Sequence, residues 1–145
     1  MLNYTGDGII AYFPAPSFIN KNDLAIDCAA TMRLLVRDAL NPLLIEHGYV
    51  PISVRIGLDA GAAAVIAIGS PATKQRKDII GAVVNLACKI QSRAPEGEIA
   101  IGDIAFKNLH TNWRLNCAAL EVGSDWQYTQ PDSDQPYRIH QLQLP

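Results

Sequence analysis

Several familiar chemistries are excluded by what the sequence does not contain. The three histidines, His47, His110 and His140, are scattered, and no two of them stand at metal-ligand spacing. There is no G-x-x-x-x-G-K-[ST] phosphate loop, no G-x-G-x-x-G dinucleotide fingerprint and no G-x-S-x-G nucleophile elbow. The cysteines, Cys28, Cys88 and Cys117, are odd in number and lack metal-type spacing. That argues against a disulfide framework and for a reducing, cytoplasmic setting. The longest apolar run, Ala62 to Ile68, is far too short to cross a bilayer, so no membrane segment is expected. The first residues lack the basic start and long apolar stretch of a signal peptide. A formal net charge of −2 gives no general pull toward nucleic acid or an anionic membrane. Repeats and low-complexity tracts are absent too.

What remains is a chain of 145 residues, 49% hydrophobic and 18% charged, enough to bury the core of a single domain over residues 1–145. Residues 1–4 and 9–13 read as strands around the Gly6-Asp7-Gly8 turn, and Pro14 and Pro16 close the second. Asn22-Asp23 supplies a helix start, and apolar residues recur at helical spacing from Leu24 to His47. Pro42 should kink or break that helix near residue 41. Ile52, Val54 and Ile56 alternate with polar residues, and 63–68 is a second, more buried strand; the two are expected to form a hairpin across the Gly57–Gly61 turn. A polar, basic loop over 70–78 leads into a helix with Val83, Val84, Leu86, Ala87 and Ile90 on its buried side, ended by Pro95-Glu96-Gly97. A strand at 98–103, a short helix at 104–109 and strands around 115–121 and 137–142 complete the chain. The layout is α+β, with helices packed on a mainly antiparallel sheet.

Four features carry chemistry. Asp7 stands between two glycines, where it is either an ordinary hairpin-turn residue or an oxygen ligand for a hard cation such as Mg²⁺. Asp78 follows Lys74, Arg76 and Lys77 and precedes an apolar helix, so it is either a helix N-cap or a polar contact. Asn85 and Lys89, four apart, share a helix face among apolar neighbours. An amide beside a cation suits a phosphate or a developing negative charge, though a solvated polar stripe has the same pattern. The basic loop at 74–77 is either solvated surface or a phosphate contact through charge-assisted hydrogen bonds.

Three blocks, "YTGDGIIAYFP", "VRIGLDAGAAAVIAIG" and "DIIGAVVNLACKIQSRAPEGEIAIG", occur in an order that resembles the catalytic domain of the class III nucleotidyl cyclases, the adenylate/guanylate cyclase family. The resemblance covers roughly residues 1 to 109. Its most specific part is D-x-x-G-x-x-V-N-x-A followed by Lys89-Ile90. It implies a ferredoxin-like fold and the conversion of a nucleoside triphosphate to a 3′,5′-cyclic nucleotide and pyrophosphate. It also implies two metal ions, Mg²⁺ or Mn²⁺, and a site shared across a homodimer interface. By the same resemblance Asp7 is the second of two metal-binding aspartates, and Asn3, Asp78 and Ile80 lie at the base. Asn85 orients the ribose, Lys89 stands where an arginine stabilises the α-phosphate, and Lys74 and Arg76 contact phosphate.

The departures are specific. The family's first metal aspartate lies on a strand well before the Gly-Asp-Gly turn. The resemblance therefore implies that Met1 sits mid-domain and that the N-terminal portion is lacking. Lys89 replaces a planar guanidinium with a point charge. Asn3 matches neither the lysine usual in adenylate cyclases nor the glutamate usual in guanylate cyclases. No lysine follows Lys107, leaving Arg138 or the 74–77 loop for the triphosphate. Three readings follow: an ATP cyclase, a pyrimidine (CTP or UTP) cyclase of bacterial antiphage signalling, or a non-catalytic cyclase-like domain that binds nucleotide or a partner.

Overall fold

The computed structural model describes all residues except 1, 7, 15–17, 70–75 and 145, and the side chains at 2–5, 18–20 and 76 also lie outside the description. Strand β1 (Leu2–Thr5) pairs antiparallel with β2 (Gly8–Ala11), with Thr5 opposite Gly8. Gly6 enters the connection at φ +66°, a left-handed conformation that glycine adopts at little cost.

Helix α1 (Phe18–Leu35) begins four residues before the Asn22-Asp23 start signal, and Asn22 is buried inside it. It runs into a π turn (Val36–Leu40) and then α2 (Asn41–Glu46), whose first turn holds Pro42. The break expected from Pro42 is present, taken up as one wide turn where the proline cannot supply an amide.

The central sheet has the order β3 (Ile56–Leu58), β6 (Ile99–Gly102), β8 (Ile139–Leu142), β7 (Cys117–Leu120). β3 and β6 are parallel, and the other two pairs are antiparallel. β6 is buried along its whole length, as a strand covered on both faces must be. Ile99 and Ile101 point toward Ile26, Ala29 and Ala30 of α1. Ala100, on the other face, joins the cluster of Ile90 and Ala94 from α3 (Ala82–Arg93). Alternation along β6 thus places α1 and α3 on opposite sides of the sheet. Arg33 fastens α1 to the β6 entry, donating to the Gly97 carbonyl at 2.8 Å and to Glu98 at 2.7 Å. Short helices α4 (Asp103–Lys107) and α5 (Thr111–Leu115) lead to β7, α5 being too brief for a periodic signal.

The expected hairpin of 52–56 with 63–68 does not form. β3 starts only at Ile56, because the Asn41 side chain takes both backbone groups of Ile52, at 2.9 and 2.8 Å, that a ladder would use. β4 (Ala64–Ile68) pairs instead with β5 (Arg76–Ile80), so part of the expected basic loop is a strand. Nor is β4 the more buried strand: Val65 is 47% and Ile68 45% exposed. A run of apolar residues at strand length cannot say by itself whether its faces are covered.

Candidate functional site

The residues singled out above gather mainly where β5 passes into α3. Asp78 lies in β5 opposite Ile66, and it does not cap α3. Gly81 holds the N-cap position, with no side-chain cap hydrogen bond. The Asp78 Oδ1 accepts the Ile79 amide at 2.8 Å, which restrains its rotamer. Two residues on, Ile80 shares the Asp78 face of the strand and is 52% exposed. In the next element Asn85 and Lys89 occupy one face of α3, and both are exposed. A carboxylate, an apolar side chain, an amide and an ammonium therefore follow one another from the end of a strand through two turns of helix.

Close backbone contacts position this unit. A β-carbon built on Gly57 would lie 2.4 Å from both the Ala87 carbonyl oxygen and the Gln91 nitrogen, so α3 rests directly on β3. At Gly81 the same construction meets the Ala62 carbonyl oxygen at 3.0 Å, and at Gly61 it meets Val83 at 3.0 Å. The 61–63 segment and the start of α3 thus lock together.

Other expected site residues lie elsewhere. Asn3 belongs to β1, opposite Ile10, in a different sheet, and its side chain is outside the described residues. Arg76 is in β5 opposite Ile68, again with its side chain outside the description. Asp7 and Lys74 are outside the described residues altogether. Arg138 is exposed and lines a groove of about 280 Å³ with Glu121, Tyr137 and His140. Among the described residues no group of three or more His, Cys, Asp or Glu side chains could hold a metal ion, and no helix is long and apolar enough to cross a membrane.

The sequence reading passed over one polar cluster, formed by Asp59, Asp103, Tyr137 and His140. The sequence pattern puts Asp59 in the Gly57–Gly61 turn and Asp103 at the end of the 98–103 strand. A hint was available in the apolar flanks of Leu58-Asp59-Ala60 and Gly102-Asp103-Ile104, which put each carboxylate next to a core segment.

A mixed sheet covered by α1 on one side and α3 on the other, with an acid–amide–cation run at the β5–α3 junction, defines an α+β domain of the nucleotidyl cyclase type. The family model for the adenylate and guanylate cyclase catalytic domain matches residues 4–122, and the chain belongs to that family. Among solved structures, the guanylyl cyclase Cya2 superposes with a TM-score of 0.74 at 25% identity, over 98% of this chain and 68% of that one. The adenylyl cyclase CyaB from P. aeruginosa gives 0.73 at 21% identity, over 97% and 69%. The guanylate cyclase domain of RhGC from Catenaria anguillulae, in complex with GTP, gives 0.68 at 18% identity, over 97% and 69%. Among curated proteins none matches the sequence.

Proposed function

We propose that this chain is the nucleotide-converting part of a cyclase that turns a nucleoside triphosphate, ATP first, into a 3′,5′-cyclic nucleotide and pyrophosphate. The observation that carries the reading is the run Asp78–Ile80–Asn85–Lys89 along the β5–α3 junction, in a chain of this family. Asp78 is an acceptor suited to the exocyclic amine of a base, with Ile80 beside it as an apolar wall and Asn3 as a further base contact. Asn85 offers both donor and acceptor to the ribose. The ribose 3′-oxygen forms a bond to the α-phosphorus, the bond from that phosphorus to the bridging oxygen breaks, and pyrophosphate leaves with the electron pair. The 3′-hydroxyl proton is released. Lys89, with Lys74 and Arg76, neutralises charge that builds on the phosphate oxygens.

Asp7 is the residue that would hold a divalent cation, Mg²⁺ or Mn²⁺, together with triphosphate oxygens and water, since Mg²⁺ sites often use only one or two carboxylates. Bound there, the ion would draw charge from the phosphates. The apolar, exposed faces of β4 and β5, with Val65, Ile68 and Ile80 in view, support a homodimer, because a lone two-stranded ribbon has marginal stability.

The acceptor at Asp78 also suits cytosine, so a CTP cyclase is the second reading. Incubating the intact protein with ATP, CTP, GTP and UTP and Mn²⁺, followed by mass analysis, separates the two. Cyclic AMP is the expected product; cyclic CMP would move the assignment to the pyrimidine reading, and no cyclic product from a folded dimer would leave a binding domain. Asn85→Ala should lower kcat by about 10²-fold, the usual loss for one removed transition-state hydrogen bond. An unchanged kcat would remove Asn85 from the site.

A further inference from the structure

Strands β4 and β5 form a two-stranded ribbon, and directly opposed residues of an antiparallel pair project from the same face. On one face Ala64 stands opposite Ile80 and Ile66 opposite Asp78, with Ile68 next along β4. The other face holds Val65 opposite Ile79 and Ala67 opposite Lys77. Asp78 is therefore the single acid on a face whose other described side chains are alanine or isoleucine. Exposure is graded along that face. The Ile66–Asp78 rung is half-buried, while the flanking Ile80 and Ile68 are 52% and 45% exposed.

Apolar contact area with one fixed acceptor is what a small planar ligand needs: the apolar side chains take its face and the polar group sets its orientation. The bond from the Ile79 amide to Asp78 Oδ1, at 2.8 Å, holds the carboxylate in place. A carboxylate accepts several hydrogen bonds at once, so this one does not preclude another. Directly opposed side chains have Cβ atoms about 5 Å apart, whereas residues two apart along a strand are separated by about 7 Å. An amine bound to Asp78 therefore brings its ring closer to Ile66, across the ribbon, than to Ile80 on the same strand.

We propose that Ile66 is a specificity-determining residue: its branched side chain packs on the base whose amine Asp78 accepts, and it keeps water from that hydrogen bond. The inference rests on the reading of Asp78 as the base acceptor and adds to it a contact that discriminates between bases. Adenine and cytosine both offer an exocyclic amine, so the acceptor alone does not separate them. The purine presents the larger apolar face, and the area it covers on Ile66 favours ATP over CTP. Excluding water strengthens the hydrogen bond to Asp78 in the same complex.

The test reads the ratio of kcat/KM for ATP to that for CTP, measured on the intact protein with Mn²⁺. Ile66→Ala should lower the ratio about tenfold, mainly through a higher KM for ATP, because packing on the base is made in ground and transition states alike. Ile66→Val removes one carbon and should lower it less; it decides the matter if the alanine variant does not fold. Val65→Ala, on the opposite face, should leave the ratio where it is, whatever it does to the overall rate. A merely structural Ile66 would slow both nucleotides together, so an unchanged ratio overturns the proposal, as does a ratio that rises. A shift of Ile66→Ala from dimer to monomer in sedimentation would assign Ile66 to the partner interface and overturn it too. If the unmodified protein binds nucleotide without turnover, the dissociation constants for ATP and CTP, by calorimetry, give the same ratio with the same expectations. Failure of the underlying site reading looks different: the unmodified protein then neither turns over nor binds either nucleotide, and both readings fall.

Discussion

Asp7→Ala in the intact protein should lower cyclic nucleotide formation by about 10³-fold or more while leaving the melting temperature within about 2 °C. Two different dependences produce that split. The turn is set by Gly6, whose φ of +66° fixes the chain direction, and by the Thr5–Gly8 pairing of β1 with β2. A surface turn residue with no structural role changes stability by about 0.5 kcal/mol or less. Removing the carboxylate, by contrast, deletes the residue proposed to hold a divalent cation against the triphosphate, an interaction worth several kcal/mol in the transition state. Activity assays with ATP and Mn²⁺, run beside thermal melts, check both halves. A large drop in Tm would make Asp7 a structural residue, and retained turnover would place the cation elsewhere.

A second substitution should act on the fold. Gly57→Ala is expected to cost about 3 kcal/mol, or about 10 °C in Tm. The new methyl group would lie 2.4 Å from two backbone atoms of α3, the Ala87 oxygen and the Gln91 nitrogen. No side-chain rotation relieves contacts with backbone, so the helix must back away from β3. That movement would also displace Asn85 and Lys89, which sit on the same helix, and so activity should fall with stability. The pairing Gly57–Ala100 in the parallel ladder shows how tightly the two strands and α3 are stacked at this level. Urea unfolding measures the stability loss. A variant as stable as the parent would mean that α3 does not rest on β3 as described.

Much of this was legible in the chain itself. The three ordered blocks were enough for the family, because Asp78, Gly81, Asn85 and Ala87 stand at spacings that an amphipathic helix alone does not require. The Pro42 break and the strands near 99–102, 117–120 and 139–142 also followed from local rules, since proline geometry and short apolar alternation act within a few residues. Pairing was less legible. Residues 52–56 alternate as a strand should, yet Asn41, distant in sequence, captures Ile52 through its side chain and delays the strand to Ile56. Likewise 64–68 is apolar enough for a core strand, but its partner is the basic 76–80 segment and its faces stay open.

The sequence by itself determined the family, the α+β class and the residues proposed for chemistry, because each depends on residue type at short, fixed spacing. Only the tertiary structure decided which strands pair and that α1 and α3 take opposite faces of β6. It alone brought Asp59, Asp103, Tyr137 and His140 together. Those arrangements depend on contacts between residues far apart in the chain. Burial raises the Asp59 carboxyl to about 6, and that burial is a property of the packed fold and of no local pattern.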